Sequence, residues 1–212
     1  MGWSFGVAPL PRADQAARQL RRVTDLILSL EDDDGELDRL VADLGAAEAR
    51  LAARAPTDPR PRVGPGAAPD GRVYLDHSRD VGAYNPCFPE YAIAVEGDRA
   101  TGTVTFPVAF EGPPGLVHGG FLAVFFDCAL QHHNCDVGVT GKTTGLALRF
   151  RRPTPLLTEL RFELDRAVHE HRITSTGRLL GADGTVLCEA EGRAVVGAMT
   201  DLPEVSPRRS GS

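Results

Sequence analysis

The sequence predicts an α+β fold in which an antiparallel sheet curls around one long central helix, with a helical hairpin extension ahead of it. Three observations predict this. From Phe121 to Leu130 every residue is apolar except Asp127, and a helix without a polar face belongs inside something. On either side of that stretch the apolar period is 2, as in Leu160, Phe162 and Leu164 against Arg161, Glu163 and Asp165. Before residue 55 the period is helical. The order is therefore strand, strand, long helix, then four strands. Each strand has one face to bury and only one helix is available to cover it, which excludes a doubly wound sheet.

In chain order, residues 12–54 read as two helices. Ala16, Leu20, Val23, Ile27 and Leu30 form one stripe, and Leu37, Leu40, Val41, Leu44, Ala47 and Leu51 form another. The run Glu31–Gly35 separates them and offers Asp34 as an N-cap. A loop this short predicts an antiparallel pair, each helix leaning on the other and on a further surface. Residues 55–71 contain five prolines and three glycines and read as a linker. The extension is thus 1–54, the main domain 72–197, and the polar remainder 198–212 a loose tail. In the main domain, Tyr91, Ile93 and Val95 make one strand. After a turn at Gly97-Asp98, Gly102, Val104 and Phe106 make the second. Leu146, Leu148 and Phe150 share a face of the third, and Asp183-Gly184 turns a hairpin between the last two.

A net charge of −6 argues against nucleic acid as a partner. No apolar run has the roughly 20 residues needed to span a bilayer, so membrane insertion is not expected. The start lacks the order of a secretory signal, and the Arg-rich residues 12–22, which hint at a transit peptide, are followed closely by the acidic run Glu31–Asp34, which argues against one. Four cysteines without a C-x-x-C spacing suggest reduced thiols and a cytoplasmic protein.

The central helix carries the candidate chemistry. It opens at Gly119-Gly120, where free N–H groups and the positive end of the macrodipole would suit a carbonyl oxygen gaining charge. A tight entry into the helix is the plainer account, and spacing alone does not separate the two. Asp127 lies eight residues beyond Gly119, roughly 12 Å along a helix axis. The two cannot touch one reacting carbon from the same helix. They can if a two-fold axis sets a second helix antiparallel, so a joint catalytic role requires at least a dimer. An Asp there can attack an acyl carbon or draw a proton from water, given a donor to hold it. Thr143 and Thr144 are the nearest donors in sequence, and strand parity does not decide between them. The cluster His132, His133, Cys135 and Asp136 lacks a familiar zinc spacing and reads as a polar helix end. Cys128 and His132, four apart, are a weaker thiolate pair.

The segment GPPGLVHGG followed by FFD, with Asp127 nine residues after His118, resembles the hotdog-fold acyl-CoA thioesterases, most closely their phenylacetate-pathway branch. Thr143, sixteen residues after Asp127, the FRRP of Phe150–Pro153 and the Asp-Gly hairpin fit as well, and Asn85-Pro86 looks like that family's opening segment. The similarity spans about residues 72–197. It implies Asp127 as nucleophile or general base, the Gly119 N–H as oxyanion donor, Thr143 as the group that orients the Asp or the water, and His118 beside the carbonyl. Gly120, Thr144, Asn85, Arg151 and Arg152 are the candidate substrate-binding residues; apart from the resemblance, Arg149, Arg151, Arg152 and Arg161 gather on or near two strands and suit the phosphates of coenzyme A, solvated sheet arginines being the plainer account. Some relatives carry Asn six residues before the His, where this chain has Gly112. The resemblance implies no metal and no cofactor, and a homodimer with a dimer of dimers as a further option. A non-catalytic acyl-CoA-binding or regulatory protein and an enoyl-thioester hydratase are the competing functions.

Overall fold

In the computed structural model, residues 10–32, 35–55, 57, 81–138 and 140–196 are described, with the backbone of four short outlying strands. These are β1 (Trp3–Phe5), β2 (Arg62–Val63), β3 (Arg72–Tyr74) and β10 (Ser206–Pro207); β1 pairs with β3 and β2 with β10, both in parallel. The rest of the expected linker and tail, and the expected cap Asp34, lie outside the described residues. The other elements are α1 (Ala13–Leu28), α2 (Glu36–Ala52), the short α3 (Val81–Tyr84), β4 (Tyr91–Glu96), β5 (Arg99–Thr105), α4 (Gly119–Val137), β6 (Lys142–Phe150), β7 (Glu159–His169), β8 (Arg172–Leu180) and β9 (Val186–Val195).

The period-2 segments pair into one six-stranded antiparallel sheet in the order β4-β5-β7-β8-β9-β6. Its inner face carries the residues that alternation assigned to it, among them Val104, Leu160, Phe162 and Leu164, together with Ile173, Cys188 and Ala190, all buried. Against that face lies α4 with Leu122, Phe125, Phe126, Ala129 and Leu130. The rings of Phe106, Phe125, Phe126 and Phe162 are sealed from water, each worth about 1.5–3 kcal/mol of transfer free energy. Two sheet glycines set how closely the helix seats. A Cβ on Gly177 would lie 2.7 Å from the Phe126 ring, and one on Gly192 would lie 2.8 Å from Leu130. The helix ends at Gly138, whose φ of 85° suits glycine.

Three expectations change. The central helix is not enclosed all round: Phe121 and Val124 on its outer side are 36% and 50% exposed. Phe150, assigned by alternation to the buried face with Leu146 and Leu148, is 60% exposed, because β6 is an edge strand and the helix beneath its end is only glycine. The N-terminal helices do not form a mutually packed hairpin. No residue of α2 is buried, whereas α1 buries Ala17 and Arg21 and packs on α3 and on the 3-10 turn Val108–Phe110. The Arg21 guanidinium donates to the carbonyls of Asn85 (2.9 Å) and Phe88 (3.4 Å) and reaches Glu90, so a buried cation fastens α1 to the main domain.

Candidate active site

The approach to α4 is pinned on both sides. The His118 N–H donates to Phe110 O and the Val117 N–H to Thr154 O, both at 2.9 Å, while Gly115 turns the chain at φ 74°. His118 is the N-cap, with its Nδ1 accepting from the Gly120 N–H at 3.0 Å. A neutral ring bound this way carries its proton on Nε2. Gly120 therefore has no N–H left to offer a substrate. The Gly119 N–H, by contrast, has no acceptor among the described residues. A Cβ on Gly119 would stand 3.0 Å from the Phe150 ring, so glycine lets that ring roof the helix end closely and a side chain there would push it back. Gly112 is accounted for too: a Cβ there would meet His118 Cα at 2.8 Å and Cβ at 2.9 Å. An Asn at position 112 has no room in this loop.

Gly119 opens into a cleft of about 430 Å³, lined in part by Leu116, Leu122, Phe150, Arg151, Arg152 and Thr154. The two arginines are thus brought to the glycine, but unequally. Arg151 is forked onto Glu189 at 2.7 Å through Nε and Nη2, whereas Arg152 makes no ion pair among the described residues. His118 is not part of this lining.

Asp127 sits at the other end of the exposed side of α4, half-buried, and its Oδ1 accepts from Thr143 Oγ1 at 3.0 Å. Thr144 Oγ1 donates instead to the Arg193 carbonyl at 3.2 Å. The register explains which threonine turns inward. Thr143 pairs with Ala194 and Gly145 with Arg193, leaving Thr144 as the extra residue of a bulge. Skipping one residue puts Thr143 on the same face as Leu146, where plain alternation would have placed Thr144. The bulge was not legible in sequence; Gly145 beside it was the available signal.

The remaining candidates resolve differently. Asn85 caps its own turn, with Oδ1 accepting from the Cys87 N–H at 2.9 Å, and it lines neither the Gly119 cleft nor the space beside Asp127. The histidines at the helix end diverge. His132 Nδ1 meets Tyr91 Oη at 2.7 Å, and His133 Nε2 meets the Gly97 carbonyl at 2.9 Å. No metal-binding cluster occurs among the described residues. Burial, reinforced by the Asp127 charge, pushes the Cys128 thiol up to about 11, which disposes of a thiolate pair with His132. Sequence reasoning missed Phe150 as the roof over Gly119. It also missed Asn134 and Ser175, which line the space behind Asp127; a polar Ser175 on the inner face of β8 was the visible signal.

A curled antiparallel sheet of this strand order holding one long helix is the hotdog fold. Among solved structures, a thioesterase superfamily protein matches with a TM-score of 0.73 and 30% identity, over 92% of this chain and 94% of its own. The chain belongs to the thioesterase superfamily. That match leaves fewer residues uncovered than α1 and α2 contain, so the likeness extends beyond the segment 72–197 into the N-terminal extension. A phenylacetic acid degradation-related protein of Ralstonia eutropha JMP134 aligns at TM-score 0.46 and 24% identity, over 50% of this chain and 84% of its own. A hypothetical thioesterase of Streptococcus pneumoniae TIGR4, solved with coenzyme A, aligns at 0.47 and 17%, over 50% and 89%. No family model and no curated protein matches.

Proposed function

We propose that this chain hydrolyses an acyl-CoA thioester to the free acid and coenzyme A, as a homodimer with two sites across its interface. One observation carries the reading. A single helix presents an unclaimed Gly119 N–H at its start and a Thr143-held carboxylate, Asp127, two turns further on, in separate recesses. Neither recess is a complete site; an antiparallel second copy would complete both. The outer side of α4, with Phe121 and Val124 exposed, and the open edge of β6 are the surfaces such a copy would cover.

In this reading the thioester oxygen rests on the Gly119 N–H at the helix N-terminus, where the dipole and the donor both favour developing negative charge. The partner subunit's Asp127 removes a proton from water as the water oxygen attacks the carbonyl carbon. The C–S bond then breaks, and the leaving thiolate takes up the proton. Direct attack by the carboxylate, giving an anhydride that water opens, uses the same groups. His118 is assigned no direct contact with the thioester in this reading; its Nδ1 holds the Gly120 N–H and so shapes the helix start. Arg152, in the Gly119 cleft without an ion pair, supports a contact with a coenzyme A phosphate. Four free cysteines suit a cytoplasmic setting, and no described helix is long and apolar enough to cross a membrane.

The test is thiol release from a panel of acyl-CoAds differing in chain length and aromaticity, with Asp127→Asn beside the wild type. Turnover lost in Asp127→Asn while acyl-CoA binding persists supports hydrolysis. Binding without turnover in the wild type selects the non-catalytic alternative. Mixing Gly119→Val chains with Asp127→Asn chains should restore part of the activity, since one of the two interface sites in each mixed dimer is then intact. Assembled heterodimers without activity would refute the shared site.

A further inference from the structure

Behind Asp127, between α4 and the strands β8 and β9, lies a small cavity of about 10 Å³. Its lining includes Asp127, Gln131, Asn134, Thr143, Ser175 and Gly192. Two of these side chains are sealed off from solvent, Asn134 at 3% exposure and Ser175 at 2%. Asn134 Oδ1 and Ser175 Oγ are both buried and find no hydrogen-bond partner among the described residues. Gln131 does not serve them, because its amide donates to Thr140 Oγ1 and to the Gly141 carbonyl. Buried polar atoms left unmade are costly and rare in folded proteins. Here two of them border one space whose volume is about that of a single water centre and which, between Leu130 and Ala194, also carries Asp127 and Thr143, so an internal water has both the room and the roughly two to four polar partners it needs.

We infer that this cavity is a binding site for one water molecule, which fastens the Asp127 carboxylate from behind. The water accepts from the Ser175 hydroxyl and donates one proton to Asn134 Oδ1. Its second proton goes to the carboxylate, whose Oδ1 already accepts from Thr143 on the strand side. Asn134 and Ser175 are then positioning residues: they touch no substrate, and they act by restricting the carboxylate to one orientation before substrate arrives. The whole site lies within one chain, so it does not depend on a partner subunit. Only its kinetic consequence rests on the proposed hydrolysis.

A high-resolution crystal structure of the full wild-type chain tests the site. The expected result is one ordered solvent peak within about 2.5–3.2 Å of Asn134, Ser175 and Asp127. A dry cavity, or Asn134 and Ser175 bonded directly to each other, would overturn the inference. In Ser175→Ala the peak should vanish, and kcat for thiol release should fall about three- to tenfold with KM unchanged, the weight of roughly one ordinary hydrogen bond, since Ser175 reaches the carboxylate only through the water. An unchanged kcat in a variant whose water is gone would overturn the positioning role. So would a loss expressed only in KM. If Ser175→Ala does not fold, the wild-type density still decides. If Asp127→Asn leaves hydrolysis intact, the proposed function fails while the solvent peak is judged independently.

Discussion

Replacing Thr143 by Val keeps the β-branched shape that suits strand β6 and deletes only the hydroxyl that reaches Asp127. The bond removed is a hydroxyl-to-carboxylate contact of 3.0 Å. Fully buried, a hydrogen bond to a charged group contributes about 1.5–3 kcal/mol. This one is accessible to solvent, and competition from water reduces it to about 1 kcal/mol. With tenfold in rate for each 1.36 kcal/mol, kcat for thiol release should fall about three- to tenfold. Thr144→Val is the matched control one residue away. Its hydroxyl serves only the Arg193 carbonyl, so turnover should change by less than about twofold, as for most exposed substitutions. Thr143→Ser should stay close to wild type. The assay is continuous thiol release with the chain-length substrate that turns over best, with thermal melts confirming that each variant folds. A larger loss in Thr144→Val than in Thr143→Val would refute the bulge-based assignment of the supporting hydroxyl.

Four further outcomes are expected. Gly177→Ala drives a methyl to within 2.7 Å of the Phe126 ring, an overpacking that costs about 1–3 kcal/mol and should lower Tm by roughly 2–10 °C in calorimetry; an unchanged Tm would mean that α4 seats less tightly than described. Arg21→Met removes the guanidinium from the Asn85 and Phe88 carbonyls, of which the first keeps the Phe88 N–H, and hydrogen exchange should quicken through residues 85–90 and α1 but not in the sheet. Burial holds the His133 imidazole below its ordinary value, with the Gly97 hydrogen bond opposing and the Arg166 charge adding to the depression. The unfolded chain therefore takes up this proton first, so stability in urea should decline as pH falls through about 6.5 and below, and His133→Gln should flatten that decline. Burial also pushes the Cys128 and Cys188 thiols up to about 11, so alkylation at pH 7.5 followed by mass spectrometry should label exposed Cys87 well before either.

Much of the fold was legible because the sheet has one wet face and one dry one. Leu160, Phe162 and Leu164 announce β7 by alternation alone, and Phe162 is fully buried as that pattern requires. The same rule failed where its premise failed. Phe150 alternates correctly with Leu146 and Leu148 yet stands exposed, since the sheet ends at β6 and glycine lies below it. In the extension, helical periodicity located α1 and α2 but not their packing. Arg21 sits among the polar residues of its helix by type, and only the carbonyls and the Glu90 carboxylate of a segment more than sixty residues away make its burial tolerable.

For the candidate site, the sequence by itself determined the central helix, its glycine start, the one carboxylate of its apolar run Phe121–Leu130, and the separation that keeps Gly119 and Asp127 from meeting on one carbon. All of these follow from local order and helical rise, which neighbours in the fold do not alter. Only the tertiary structure decided that Thr143 rather than Thr144 holds Asp127, that His118 occupies the Gly120 N–H, that Phe150 covers Gly119, and that Asn134 and Ser175 face a common space behind the carboxylate. Each of these depends on the register between strands or on the approach of elements far apart in the chain. A one-residue bulge or a missing Cβ redirects such contacts without leaving a periodic trace in the sequence.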